Sequence, residues 1–443
     1  MEEIEMKKDK IQVMILILIF LLISIGYPLF SVVLSDYSYF KYIKEILILF
    51  LFISIIIDKN GTIISILKRE KKVKIEPIDY CIIIFIGMLM VSFIFFTANK
   101  LASIYIIRCY VEGFFIYVIA RNIHWSSSDL RYFNHKMFDL YFVLSLYGIF
   151  QAYILKDKFL INIGYPQKNG HLTYPFYISG FGNLQRVCST FVNPNTFAFF
   201  TALFILYVFI NRDLFKEIKY KNLKLIIIII AFLLTYSKSN ILAFIICLFA
   251  YIILNAKNFK LSKNAVLTFI FSIILLFVIG LFFDIKLIGN LLKLFERTIT
   301  LKDTSAAGRP KIWLSAFNRF KNNIFGIGLG MTGSKAVYIG NKMLEASESS
   351  YFCIALDSGI QGLISYISIF ISIFIFSYKH RQKIINKYLR KVNSSLVFLT
   401  IYVMVAFAFS NYVQDFELMS IYFCLVGIIM NLIITYGSDI NEF

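Results

Sequence analysis

The chain has 443 residues, of which 59% are hydrophobic and 16% charged, with a formal net charge of +19. Soluble domains carry about a quarter charged residues, so this composition excludes a soluble globular fold. Phe and Ile abound and polar low-complexity tracts are absent, which excludes a disordered chain as well.

Apolar runs of roughly 17 to 25 residues have the length that crosses a bilayer as helix, and they are continuous rather than alternating, which excludes a barrel. The expected fold is an all-α polytopic membrane protein of about twelve spans. The spans are expected over residues 11–34, 41–57, 78–97, 101–119, 137–154, 190–210, 223–236, 241–255, 264–283, 351–377, 394–411 and 418–435. The first run follows a Lys-containing start, is too long for a signal-peptide core and lacks a small-residue cleavage site, so it is expected to be a retained span. The seventh and eighth are short and flank Ser237-Lys238-Ser239-Asn240. They are either two spans meeting at a tight turn or one interrupted hairpin. The chain is expected to be one polytopic domain, 1–443, with two large external loops, 155–189 and 284–350.

Charge tests the span count. Lys68, Arg69, Lys71, Lys72 and Lys74 fall in one loop, and Arg121 and Arg131 in the next but one. Arg212, Lys216, Lys219 and Lys221 follow, then Lys257, Lys260 and Lys263, then Lys379, Arg381, Lys383, Lys387, Arg390 and Lys391. Connections near Asp36, Lys100 and Asp415 carry few positive charges. This alternation predicts both termini on the cytoplasmic side. The basic excess therefore points to topology and anionic headgroups. No nucleic-acid motif accompanies it. Cys81, Cys109, Cys188, Cys247, Cys353 and Cys424 are dispersed, with no C-x-x-C pair, so they are expected to be small apolar fillers rather than disulfides or metal ligands. His124, His135, His171 and His380 are equally scattered, and no metal site is expected.

In the larger loop, Ile288, Leu291, Leu292 and Phe295 recur at helical spacing beside Lys286, Lys293, Glu296 and Arg297, predicting a surface amphipathic helix. Asp303-Thr304-Ser305 precedes a second helix with an apolar stripe of Ile312, Trp313, Ala316, Phe317 and Phe320, and Arg309 is expected near its first turn. The run Gly326-Ile327-Gly328-Leu329-Gly330 predicts a tight, irregular return toward the membrane. It lacks the spacing and the strand-turn-helix setting of a nucleotide fingerprint.

Several charged residues stand where charge is costly. Arg108 and Glu112 are four residues apart within the fourth span and share a helical face. They are either an internal ion pair or, with Arg108 about 10 Å below the outer end, a site for an anionic lipid headgroup. Arg186 precedes Asn193-Pro194-Asn195, which is either a helix cap or a set of donors for phosphate and sugar oxygens. Lys238 and Arg309 lie on the same predicted side. Four cations on one side suit a diphosphate, which guanidinium groups bind bidentately. Glu348 stands at the mouth of the tenth span with Asp357 further in. It is a general base toward a hydroxyl or a solvated loop acid.

Taken in order, these passages resemble the O-antigen polymerase and O-antigen ligase superfamily of bacterial membrane glycosyltransferases. The likeness rests on Arg186 with Phe191-Val-Asn-Pro-Asn195, on Thr235-Tyr-Ser-Lys-Ser239, on Arg309-x-x-x-Trp313 with Phe325-Gly-Ile-Gly-Leu-Gly330, and on Glu348-Ser-Ser-Tyr351 with Leu356-Asp-Ser-Gly-Ile-Gln-Gly362. Lys238 stands where the family has arginine, and Glu348 where ligases have histidine. The resemblance implies a GT-C-like enzyme of the bacterial cytoplasmic membrane. It would transfer a polyprenyl-pyrophosphate-linked glycan to an acceptor sugar hydroxyl of another lipid-linked repeat at the outer face, with inversion. It implies no cofactor, metal or nucleotide. Its partners would be the lipid-linked donor and acceptor, the bilayer, a chain-length regulator and a flippase. Arg186, Arg309 and Lys238 would hold the pyrophosphate with Arg108 in support, and Glu348 would serve the acceptor hydroxyl. Asn193, Asn195, Trp313 and Tyr351 would contact substrate, the loop 284–350 bringing Arg309 toward Arg186 and Lys238. A ligase attaching the glycan to another carrier, and a polysaccharide flippase, are the alternatives.

Overall fold

Local signals start several helices. Pro77 opens helix α3 (Pro77–Phe95), and the Asp79 carboxylate accepts from the Glu76 amide at 2.8 Å, meeting one of the helix's orphan donors. Asn99 caps α4 (Lys100–Asn122) by accepting from the Ala102 amide at 3.1 Å. Asn193 caps α7 (Pro194–Ile210), accepting from Asn195 and Thr196 at 2.9 and 3.0 Å, with Pro194 in the first turn. The remaining helices are α1 (Glu2–Pro28), α2 (Ile43–Asp58), α5 (Ser127–Phe150), α6 (Lys156–Asn162), α8 (Lys221–Leu234), α9 (Lys238–Leu254), α10 (Thr304–Asn322), α11 (Ser350–Arg381), α12 (Lys387–Phe409) and α13 (Phe416–Tyr436). A five-residue π turn, Gln151–Leu155, joins α5 to α6.

The computed structural model describes residues 2–28, 42–58, 75–97, 99–165, 167–168, 170–172, 176–178, 184–254, 296–297, 300, 304–333 and 348–437. The expected span 264–283 and the amphipathic helix near 288–295 lie outside these residues. Each other expected span coincides with a helix. Among the described residues seven helices are long and apolar enough to cross a membrane, and α7 and α9 are shorter apolar helices. The chain is an all-α, multi-pass membrane protein. The seventh and eighth runs are two helices, α8 and α9, separated by Thr235-Tyr236-Ser237, where Tyr236 takes a left-handed φ of 49°.

The described chain divides into two compact units. Unit 1 comprises Met1–Phe20, Ile43–Leu130 and Pro310–Phe443. Its centre is the pair α4 and α13, which approach closely because Gly113 lies against the Met419 backbone and Gly427 against the Tyr117 carbonyl. Small residues at helix contacts let backbones meet in lipid, where apolar burial gives no driving force. Ile83, Ile94 and Leu101 are exposed at 66%, 67% and 78%, the outward apolar surface that a bilayer covers. Unit 2 comprises Leu21–Tyr42 and Arg131–Arg309. There α7 is buried from Thr196 to Ile210, and Tyr141 of α5 stacks on Phe200 and Phe204 at 4.1 and 3.9 Å.

In unit 1 the tenth expected span is not a regular helix. α11 breaks at Gly359, which has φ 76° and ψ −176°. There the backbone groups on either side of the break are met from another segment. Ile327 N–H donates to Leu356 at 2.6 Å and Ile360 N–H donates to the Ile324 carbonyl at 2.9 Å. The segment 323–333 thus satisfies backbone groups on both sides of the break. Gly328, at φ 101°, passes so close to the Phe96 carbonyl that a Cβ would collide with it. Gly328→Ala should cost about 2 kcal/mol or more from strain and overlap combined. A wild-type yield of monodisperse Gly328→Ala protein on size exclusion would contradict that packing.

Candidate active site

Arg186 is 7% exposed at the entrance to α7. Its Nε–H donates to the Thr235 carbonyl at 2.7 Å and its second terminal nitrogen to Asn195 Oδ1 at 2.6 Å. Asn240, at the start of α9, donates to the Asn195 carbonyl at 3.1 Å and to Ser237 Oγ at 2.9 Å. One guanidinium therefore ties together two sequence passages some forty residues apart, and with them the first turns of α7 and α9. Lys238 is the first residue of α9. Two helix N-termini, each carrying roughly half a positive charge from its dipole, thus gather with Arg186 and Lys238 in unit 2. Asn193 acts as a helix cap, as one of its two sequence readings had it, while Asn195 reaches Arg186.

Cys188, two residues beyond Arg186, is wholly buried beside Gln151 of the π turn, whose Nε2 lies 3.3 Å from its sulfur. Burial pushes this thiol up to about 12. Thiolate, the reactive form, is therefore scarce at pH 8. The folded protein should leave Cys188 unmodified by iodoacetamide at that pH, read by peptide mass spectrometry; rapid labelling would contradict its burial.

Arg108 and Glu112 resolve toward an ion cluster within unit 1. Arg108 pairs with Glu45 and lies 3.6 Å from Glu112, while Lys44 reaches Glu112 at 3.2 Å and Glu45 at 3.3 Å. Two cations face two acids, and Lys44 sits 3.1 Å from the Phe416 ring centre. Lys44 and Glu45, at the start of the second span, were not singled out in the sequence. Their signal was the cost of leaving Arg108 and Glu112 as the cluster's sole members in lipid.

Helix α10 begins at Thr304, so Arg309 lies in its second turn rather than its first, directly before Pro310 and one turn before Trp313. Of the expected apolar stripe, Ala316 is buried but Phe317 is 51% exposed. Trp313 lies 6.1 Å, ring to ring, from Phe409, and its indole N–H is buried with no hydrogen-bond partner. Glu348 immediately precedes Ser349, the cap of α11. Ser349 and Ser350 donate to the carbonyls of Phe407 and Ser410 at 3.1 and 2.9 Å. Tyr351 donates to the Met404 carbonyl at 2.8 Å. The end of α12 thereby receives both Trp313 and the Glu348–Tyr351 passage, and the Tyr351 hydroxyl is engaged with backbone.

Behind this passage Asp357 is wholly buried. It accepts from Tyr110 Oη at 3.0 Å, Thr332 Oγ1 at 2.7 Å and Gln414 Nε2 at 3.0 Å, and its own carbonyl accepts from Ser92 at 2.7 Å. Cys353 adjoins Thr332 at 3.1 Å, so it borders this polar cluster rather than filling an apolar gap. The acid stood out in the sequence, but its donors come from three distant segments.

A comparison with protein families bears on this geometry. Residues 223–367 match the family described as O-antigen ligase. This part of the chain is similar to the O-antigen ligase family. No curated protein matches the chain. The O-antigen ligase segment runs from α8 through α9, α10 and the glycine loop into the first half of α11. It contains Lys238, Arg309, Trp313, Glu348 and Tyr351, whereas Arg108, Arg186, Asn193 and Asn195 precede it. The family supports a membrane enzyme of O-antigen ligase or polymerase type that handles lipid-linked sugars.

Proposed function

We infer that this protein is a polysaccharide polymerase of the bacterial cytoplasmic membrane, with both termini cytoplasmic. It transfers a polyprenyl-pyrophosphate-linked glycan to a sugar hydroxyl of another lipid-linked repeat at the outer face. The observation that supports this is Arg186 clasping the Thr235 carbonyl and Asn195, which ties the N-terminus of α7 to the turn from which Lys238 and α9 begin. A lipid diphosphate is the anion a membrane enzyme of this family would meet there, and it is also the leaving group. The donor is already activated, so catalysis requires chiefly positioning and positive charge aimed where negative charge develops. Arg186, Lys238 and Arg309 hold the pyrophosphate, and Glu348 takes the proton of the attacking hydroxyl. The anomeric carbon to pyrophosphate oxygen bond breaks as the new glycosidic bond forms, inverting that centre. Trp313, whose indole N–H is orphaned, and Tyr351 flank the acceptor sugar.

A ligase is the second reading, favoured by the description of the matching family. Gene deletion followed by gel analysis of surface glycan separates the two. Loss of a polymerase leaves carrier or core bearing a single repeat; loss of a ligase strands long chains on the polyprenyl carrier. Arg309→Ala and Glu348→Gln should each shorten the chains at normal protein level, and full-length chains in both variants would remove these residues from the mechanism.

A further inference from the structure

The segment between α6 and α7 in unit 2 carries a second polar feature. Arg186 N–H donates to the Phe176 carbonyl at 2.8 Å and Ile178 N–H to the Leu184 carbonyl at 3.2 Å, and Tyr177 bridges Gln185 in antiparallel fashion. This pattern makes Tyr177 and Gln185 the non-hydrogen-bonded pair, whose side chains share a face with Cα atoms about 4.5 Å apart. Phe176 and Ile178 alternate to the other face and are buried. The Tyr177 ring is held against the apolar cluster of Leu160, Tyr165, Leu172, Phe176 and Cys188.

Both members of the pair keep an orphaned polar atom. Tyr177 Oη and Gln185 Nε2 are buried without a hydrogen-bond partner, and Gln185 is only 6% exposed. Each such group costs about 1–3 kcal/mol, and native interiors retain few of them. Two on one face of one bridge call for a polar occupant. Neither side chain is cationic, so the face does not suit a phosphate. An aromatic ring beside a hydroxyl and an amide N–H suits a pyranose, with its C–H face against the ring and its hydroxyls on the two polar atoms.

We propose that Tyr177 and Gln185 form a sugar-binding ledge for the glycan on which this protein acts. The ledge rests on the proposed function for its substrate class, and it begins one residue before Arg186.

The test uses the full-length protein in detergent and, as probe, the oligosaccharide repeat released by mild acid from the organism's own surface polysaccharide. Gln185→Leu and Tyr177→Phe should each weaken oligosaccharide binding about fivefold to tenfold. The thermal midpoint should hold or rise, and affinity for inorganic pyrophosphate should stay unchanged. If Gln185→Leu fails to fold, Gln185→Met, closer in shape, makes the same comparison. Unchanged oligosaccharide affinity in the variants would mean that the two groups hold only water and would overturn the ledge, as would absence of binding by the wild type. Failure of the transfer function reads differently: deletion would leave surface-glycan length intact while the binding loss in the variants persisted.

Discussion

Asp357→Ala should be the most damaging single substitution among those considered, lowering stability by about 3 kcal/mol or more. The carboxyl receives Tyr110, Thr332 and Gln414 at 2.7 to 3.0 Å in a wholly buried position. Removing it takes the shared acceptor from three buried donors, leaving Tyr110 and Thr332 only the weak Cys353 sulfur and Gln414 a longer contact to the Thr332 carbonyl at 3.4 Å. The three come from α4, the glycine segment and the α12–α13 connection, so the loss falls on the seams of unit 1. Against a typical total of roughly 5–15 kcal/mol, that is enough to deplete folded protein from the membrane. Asp357→Asn retains one acceptor oxygen and should lose less, about 1–2 kcal/mol. Thermal unfolding of detergent-purified protein gives the comparison, and an Asp357→Ala midpoint equal to wild type would show that these bonds contribute nothing net.

Arg186→Lys should abolish most glycan extension while leaving a folded protein. The guanidinium serves Thr235 and Asn195 at once, through nitrogens held in one plane. An ammonium is a point charge and reaches only one of them with comparable geometry. Loss of one charge-assisted bond is worth about 1.5–3 kcal/mol, or roughly 10- to 150-fold when it is expressed in the transition state. Asn195→Ala removes one acceptor but keeps the guanidinium and its bond to Thr235, so it should reduce extension less than Arg186→Lys. Chain-length distributions on gels, normalised to protein in the membrane, rank the two. Equal or reversed ranking would mean that the guanidinium contributes nothing beyond its bond to Asn195.

Composition and periodicity carried most of the helical architecture, because a span must satisfy its backbone internally and therefore advertises itself as a long apolar run. The short α8–α9 turn was legible too, since Ser237, Lys238 and Asn240 interrupt an otherwise apolar stretch. The break in α11 was not. Leu356 to Gly362 was read as part of one continuous span, and a segment about thirty residues upstream supplies the partners that the break requires. The Arg186 clasp was half legible: the motifs marked Arg186, Asn195 and Thr235 to Ser239, but Asn240 as the strut between two helix starts depends on packing. Lys44 and Glu45 remained hidden because charges at a helix start look solvated until a partner helix is placed beside them. Tyr177 and Gln185 had no motif at all, and their pairing follows from a bridge that a loop sequence does not announce.

The exchange of bonds at Gly359 bears on how the chain is assembled in the membrane. During synthesis the segment 323–333 leaves the ribosome before α11 does, so its carbonyl and amide must wait for their partners at Leu356 and Ile360. Until they meet, α11 is a membrane helix with a gap in its ladder, and an unpaired peptide group in hydrocarbon costs several kcal/mol. Insertion of that helix and docking of the upstream segment are therefore energetically one event. A quality-control protease that senses unpaired backbone within the bilayer would meet its substrate at Gly359 whenever the docking fails.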